Sequence, residues 1–152
     1  MKLMSFAVPC YNSEEYMQKC IESLLKGGED VEIIVVNDGS HDNTREIAED
    51  YVRRYPSIVN AVHKENGGHG SGVNKGLELA SGLYYKVVDS DDWLDETALK
   101  TLLDTIKKHR TENVLPDLYL TNFVYEKVYE GGRYVRRFTK NFPVNKFSAG
   151  RR

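Results

Sequence analysis

Residues 31–38 read VEIIVVND, a run dominated by valine and isoleucine and closed by Asn37 and Asp38. A strand with one wet face alternates apolar and polar residues. A nearly continuous β-branched run suits a strand covered on both faces. Sheets covered on both faces are mostly parallel, and parallel strands need a crossover between them, usually a helix. One stretch of eight residues therefore asks the rest of the chain for helices between strands.

The chain supplies them. LMSFAVP is a short apolar run ended by proline, which predicts a buried first strand. NSEEYMQKCIESLLKGG follows, with Asn12 and Glu15 in capping-box spacing, apolar residues at helical period and a Gly27-Gly28 stop. After VEIIVVND, the segment DNTREIAEDYVRRY reads as a second helix capped by Asp42 or Thr44. SIVNAVHK is a third strand, with His63 read as an edge residue without a role. ENGGHGSG is a glycine-rich loop before a third helix, VNKGLELAS. LYYKVVD is a fourth strand. DETALKTLLDTIKKHR is a fourth helix, with acids first and bases last as the helix dipole favours. Residues 116–139 read as two strands around Glu130-Gly131-Gly132-Arg133, a hairpin signal.

This alternation predicts an α/β fold, a mostly parallel sheet flanked by helices, with a C-terminal β-hairpin. Residues 1–115 form the α/β part. Residues 116–152 hold the hairpin and the start of a further region, incomplete in this chain.

Composition narrows the partners. A net charge of −2 gives no overall field for nucleic acid or membrane. Eight Lys or Arg against two Glu fall between Glu126 and Arg152, which leaves peripheral membrane contact open. Cys10 and Cys20 lack metal-site spacing and read as free thiols in a reducing, cytoplasmic setting, at the inner face of a membrane if the basic tail binds lipid.

Ligands of parallel α/β sheets gather beyond the carboxyl ends of the strands. Here those ends are VPCYN, VNDGS and VVDSDD. If the fourth strand continues through them, Asp89 and Asp91 share a face. Two such carboxylates suit a hard divalent ion such as Mg²⁺ or Mn²⁺, completed by water and phosphate oxygens. Asp92 or Asp95 could instead cap the next helix. Asp38, directly after a buried strand, can accept hydrogen bonds from a base or ribose, and Gly39 permits the turn that follows. Tyr11 can stack on a base. The glycines of GHGSGVNKG lack the spacing of a dinucleotide or Walker-type loop, so His69 and Lys75 are the candidate phosphate partners there.

As a set, VPCYN, EIIVVNDGSHDNT, NGGHGSGVNKGLELASG and VVDSDDWLD resemble the nucleotide-binding half of a family 2 glycosyltransferase with the GT-A fold. The resemblance runs from Leu3 to Leu94. It implies inverting transfer of a sugar from a nucleotide-sugar donor, with UDP the favoured carrier, to a glycan or lipid-linked acceptor. It implies that Pro9 and Tyr11 line the nucleobase pocket, that Asn12 belongs to the donor-binding set and that Asp38 contacts the base. Asn74 would approach the ribose and diphosphate. Asp89-Ser90-Asp91 would be the D-x-D motif, with Asp91 the direct metal ligand and Asp89 a ribose or water-mediated partner. Gly72-Val73-Asn74 stands where the family often has Ala-Arg-Asn, so Lys75 or His69 would replace the arginine. The family's general base is an acidic residue far downstream of the D-x-D, expected beyond Arg152. The chain therefore reads as the donor-binding fragment of a longer enzyme, inactive alone. The competing reading is a non-catalytic nucleotide-binding or self-associating interaction module, whose exposed edges would drive association, as a homodimer for example. A sugar-nucleotide pyrophosphorylase fits less well, because VPCYNSEE replaces that class's glycine-rich loop.

Overall fold

β1 (Met4–Cys10) is buried along its whole length and paired on both edges. The computed structural model describes residues 1–127 and 131–138. The first unit, Met1–Glu112, holds a four-stranded sheet in the order β3-β2-β1-β4, all parallel. Its elements are β1, α1 (Met17–Leu25), β2 (Val31–Asp38), α2 (Thr44–Arg54), β3 (Val59–Lys64), α3 (His69–Leu79), β4 (Tyr84–Val87) and α4 (Glu96–Thr111). The second unit, Asn113–Arg152, holds an antiparallel hairpin of β5 (Phe123–Lys127) and β6 (Gly132–Arg136). Glu130 of the expected turn and the basic stretch after Phe138 lie outside the described residues. Among the described residues, no helix is long and apolar enough to cross a membrane.

The continuous pattern of β2 is explained by cover on both faces. Ile33, Ile34, Val35 and Val36 are all at most 1% exposed. Each such side chain contributes about 1.5–3 kcal/mol on full burial. Side chains alternate across a strand. Ala7 and Pro9 of β1 and Val36 of β2 meet α3. The opposite face meets α1 and α2, where His63 of β3 reaches Glu49 of α2 at 2.6 Å and Asn37 of β2 at 3.1 Å. His63 is thus a bridging residue, not an idle edge residue.

Three boundaries differ from the sequence reading. Asn12 does not cap α1. It adopts φ 49°, its side-chain oxygen accepts the His41 amide at 2.9 Å, and its amide donates to Ser40 Oγ at 3.0 Å. These bonds tether the β1–α1 loop to the β2–α2 loop, and the helix begins only at Met17. α3 starts at His69, so much of the glycine-rich stretch is helix. β4 ends at Val87, and Asp89 enters a turn in which its carbonyl accepts the Asp92 amide at 2.9 Å. The strand parity once expected for Asp89 and Asp91 therefore does not apply. Asp95 is the α4 cap, accepting the Ala98 amide at 2.8 Å.

The glycines of α3 serve packing. A Cβ on Gly72 would lie 3.0 Å from Pro9 Cβ, and one on Gly76 only 2.4 Å from Ala7 Cβ. α3 thus rests directly on the backbone of β1. The crossover is held at both ends by carboxylates of β2. Asp38 binds the loop before α3. Glu32 accepts the Ser5 and Ser81 hydroxyls and the amides of Ser81 and Gly82 after it.

Gly76→Ala should destabilise the fold by about 1–2 kcal/mol, because overpacking outweighs the helix propensity gained. Gly70→Ala, where an added Cβ meets nothing within 4 Å, should be neutral or stabilising. Urea unfolding of the two variants checks the order; equal stabilities would contradict the close approach.

Candidate functional site

The chain leaves β1 toward β2 and β3, then returns to place β4 on the other side of β1. The loops after β1 and β4 part at this switch point, where parallel sheets hold their ligands. A cleft of about 400 Å³ lies there. One wall comes from the end of β1 and the following loop: Pro9, Tyr11, Asn12, Ser13 and Tyr16. The other comes from Asp89, Ser90 and Asp91, with His69 at the head of α3.

Tyr11 is 51% exposed, so a ring face is available to a planar ligand. Asp89 and Asp91 are exposed to the cleft. Asp89 also pairs with His69, Nε2 to Oδ1 at 2.8 Å. Burial pushes the Asp92 carboxyl above its usual range, the charges of Asp91 and Asp89 push it further, and Lys86 opposes them. The donor set left facing the cleft is two carboxylates with room for other oxygens. That fits a hard cation such as Mg²⁺ or Mn²⁺, which takes one or two protein carboxylates and keeps its remaining positions for water and phosphate.

Beneath the walls the polar groups are satisfied. Ser13 Oγ lies 2.9 Å from Ser90 Oγ. Burial drives the Cys10 thiol up to about 12, with the Ser13 and Ser90 hydroxyls beside it acting in the other direction. Both cysteines are free and buried, so neither is a reactive thiolate. Beyond the carboxylates, the loop rests on α1: Leu94 N–H donates to Ser23 Oγ at 3.0 Å, and Lys19 lies 3.1 Å above the Trp93 ring.

Three expected residues stand apart from the cleft lining. Asp38 is 4% exposed, and its carboxylate accepts from Lys64, from Gly67 N–H at 2.9 Å and from Gly68 N–H at 2.8 Å. Its visible task is to hold the β3–α3 loop. Asn74 is exposed on α3, and Lys75 pairs with Glu78 at 3.0 Å. Two lining residues were missed. Ser13 sits inside the assumed helix start, and Tyr16 reads by period as a buried helical position although it is 53% exposed. The signal for Ser13 was a small hydroxyl directly after the strand-end cluster.

Comparison with known proteins now decides the family. The profile of Glycosyl transferase family 2 matches residues 5–149. The chain belongs to that family. It is 39% identical over 113 residues to the uncharacterized glycosyltransferase EpsJ of Bacillus subtilis, covering 74% of this chain and 33% of that protein. It superposes on S. aureus TarS in complex with UDP with a TM-score of 0.63 at 36% identity, over 72% of this chain and 33% of that one. A mannosyltransferase from Pyrobaculum calidifontis in complex with GDP-Man and Mn²⁺ matches at TM-score 0.60 and 22% identity, over 70% of this chain and 32% of that one, which shows the shared fold. The sheet is that of a GT-A glycosyltransferase. The chain spans about a third of the length of these proteins.

Within this family 2 domain, Asp38 carries a prediction of its own. Burial raises its carboxyl, but the Lys64 ammonium and the amides of Gly67 and Gly68 outweigh that and hold it below the usual range. A depressed folded value stabilises the fold above the unfolded pKa of about 3.9, and the gain is lost as pH falls through the folded value. Asp38→Asn should therefore cost about 2–4 kcal/mol near neutrality, by leaving the Lys64 ammonium without its carboxylate and only the Glu65 carbonyl to accept from it. The gap to the unsubstituted chain should narrow as the pH falls below about 3.9 and close only below the lowered folded value. Urea unfolding across pH reads this; a gap independent of pH would remove the ionised carboxylate from the account.

Proposed function

We propose that this chain is the donor-binding part of a glycosyltransferase that moves a sugar from a nucleoside-diphosphate sugar to an acceptor hydroxyl with inversion. The observation that carries this is the meeting of an exposed Tyr11 wall and the Asp89-Ser90-Asp91 wall in one cleft at the switch point. Pro9, Tyr11 and Asn12 would border the base. Asp91 would hold the cation directly, with Asp89 beside it through ribose or water. The relation to TarS, whose complexes contain UDP and UDP-GlcNAc, favours uracil as the base.

When bound, Mn²⁺ or Mg²⁺ would neutralise charge on the diphosphate leaving group, in place of a proton from a general acid. The chain's own residues bind and orient. Tyr11 offers a ring face, Ser90 a hydroxyl, and Asp38 keeps the β3–α3 loop in place so that His69 heads α3 at the cleft. Asn74 and Lys75 would reach the ribose or phosphates only if α3 side chains turn toward a bound donor. The proton of the acceptor hydroxyl needs a base. Asp89 and Asp91 are committed to the cation, so this reading places the base on the acceptor side, outside the cleft lining. The acceptor is a glycan or a lipid-linked glycan, and cytoplasmic work at a membrane surface is compatible with the basic stretch that follows β6.

Calorimetry on this chain should show UDP binding that strengthens with Mn²⁺. Asp91→Ala should weaken the Mn²⁺-dependent part by about 10–100-fold or more, since loss of even an outer-shell partner costs that much. Asp95→Ala, which removes the α4 cap, should cost about 1 kcal/mol of stability and leave UDP affinity unchanged. Equal UDP–Mn²⁺ affinity for Asp91→Ala and the unsubstituted chain would sink the proposal.

A further inference from the structure

Ser13 lies in the loop between β1 and α1 and is 4% exposed. Every polar group it carries is engaged. Its Oγ accepts the Tyr11 amide at 3.1 Å and lies 2.9 Å from Ser90 Oγ. Its amide donates to Thr44 Oγ1 at 2.8 Å, at the head of α2. Its carbonyl accepts the amides of Tyr16 and Met17, both at 3.0 Å, where α1 begins. Thr44 is fully buried. Ser13 cannot shift without disturbing the starts of two helices.

Ser90 is the middle residue between the two carboxylates of the opposite wall. One buried hydroxyl thus joins the backbone of the Tyr11 wall to the centre of Asp89-Ser90-Asp91. The turn has other ties. Asp89 carbonyl accepts the Asp92 amide at 2.9 Å and lies 3.6 Å from the Cys20 thiol, and the Asp89 side chain meets His69 at 2.8 Å. None of these ends on the Tyr11 wall. Ser90 does meet it, through the Ser13 bond and beside the Cys10 thiol at the end of β1.

We infer that Ser13 is a positioning residue that couples the two walls, so that a nucleobase on the Tyr11 wall and a divalent cation at Asp89 and Asp91 strengthen each other's binding through the Ser13–Ser90 hydrogen bond. The inference rests on the donor-site reading above. Its physics is linkage: a ligand that orders one wall orders the hydroxyl between them, and the second ligand then meets a turn already in place. By reciprocity, each ligand raises the other's affinity by the same factor.

A nucleotide cannot test this, because its diphosphate would touch the cation directly. Uridine lacks phosphate, so any mutual effect must pass through the Ser13–Ser90 bond or through a ribose contact at Asp89, and the Ser13 and Ser90 variants separate these two routes. Free Mn²⁺ is followed by electron paramagnetic resonance, with and without saturating uridine. In the unsubstituted chain uridine should tighten Mn²⁺ by about 5-fold or more. In Ser13→Ala that factor should fall to about one while UDP–Mn²⁺ still binds. Ser90→Ala removes the same bond from a half-buried position and should also bring the factor to about one, whatever it does to donor affinity itself, which keeps the test valid if Ser13→Ala folds poorly. A merely structural role would lower both affinities or the melting temperature and leave their ratio alone. A factor unchanged in both variants, or a factor of one in the unsubstituted chain that binds both ligands, overturns the coupling and leaves the donor-site reading standing. Failure of UDP and Mn²⁺ to bind at all overturns both.

Discussion

The pairing of β1 on both edges is the constraint from which the site is built. Its backbone is bonded to β2 on one side and β4 on the other, and both its faces are covered. A strand in that position has no freedom to slide, because a one-residue slip would turn every side chain to the wrong layer. The loop that leaves its carboxyl end is therefore aimed by the whole sheet. So is the turn after β4, which is read off the same strand through four paired residues, Met4 to Ala7. The distance between the two walls is a property of this ladder more than of either loop.

The carboxyl edge is held by a web of short polar links, most of them between loops. Asn12 reaches the loop after β2, Glu14 N–H donates to Asp42 at 3.0 Å, and Ser13 reaches Thr44 and Ser90. Among the described residues, no buried side-chain polar atom lacks a partner. In a low-dielectric interior a satisfied network of this kind ties the loops to one another, whereas a partly satisfied one would cost stability.

The architecture was readable because its signals are periodic. VEIIVVND could only be a covered strand, and the helix–strand alternation then settled the layers. The strand-end clusters of β1 and β4 were readable for the same reason, as polar residues stopping apolar runs. What was hidden is set by contacts between loops far apart in sequence. Nothing local marks Asn12 as left-handed, since its partners Ser40 and His41 follow a different strand. The helical start of α3 was hidden because glycine normally signals a loop, while Gly72 and Gly76 are there to bring the helix against Pro9 and Ala7. That Asp38 ends a buried strand was legible; that Lys64 and two amides from the next crossover engage its carboxylate was not, because those partners follow a different strand.

The two carboxylates of β2 have a consequence for how this fold can vary. Glu32 grips the chain just after α3, and Asp38 grips it just before. From Glu32 to Asp38 the strand measures about 20 Å. The eleven residues of α3 rise about 16 Å, leaving only the short turns at either end to make up the span. β2 thus works as a ruler for the crossover. Side chains of α3 that meet neither the sheet nor a bound donor can be exchanged, but one residue added or removed would pull an amide off one of the two grips. The length of this segment is thus as tightly set as its glycines.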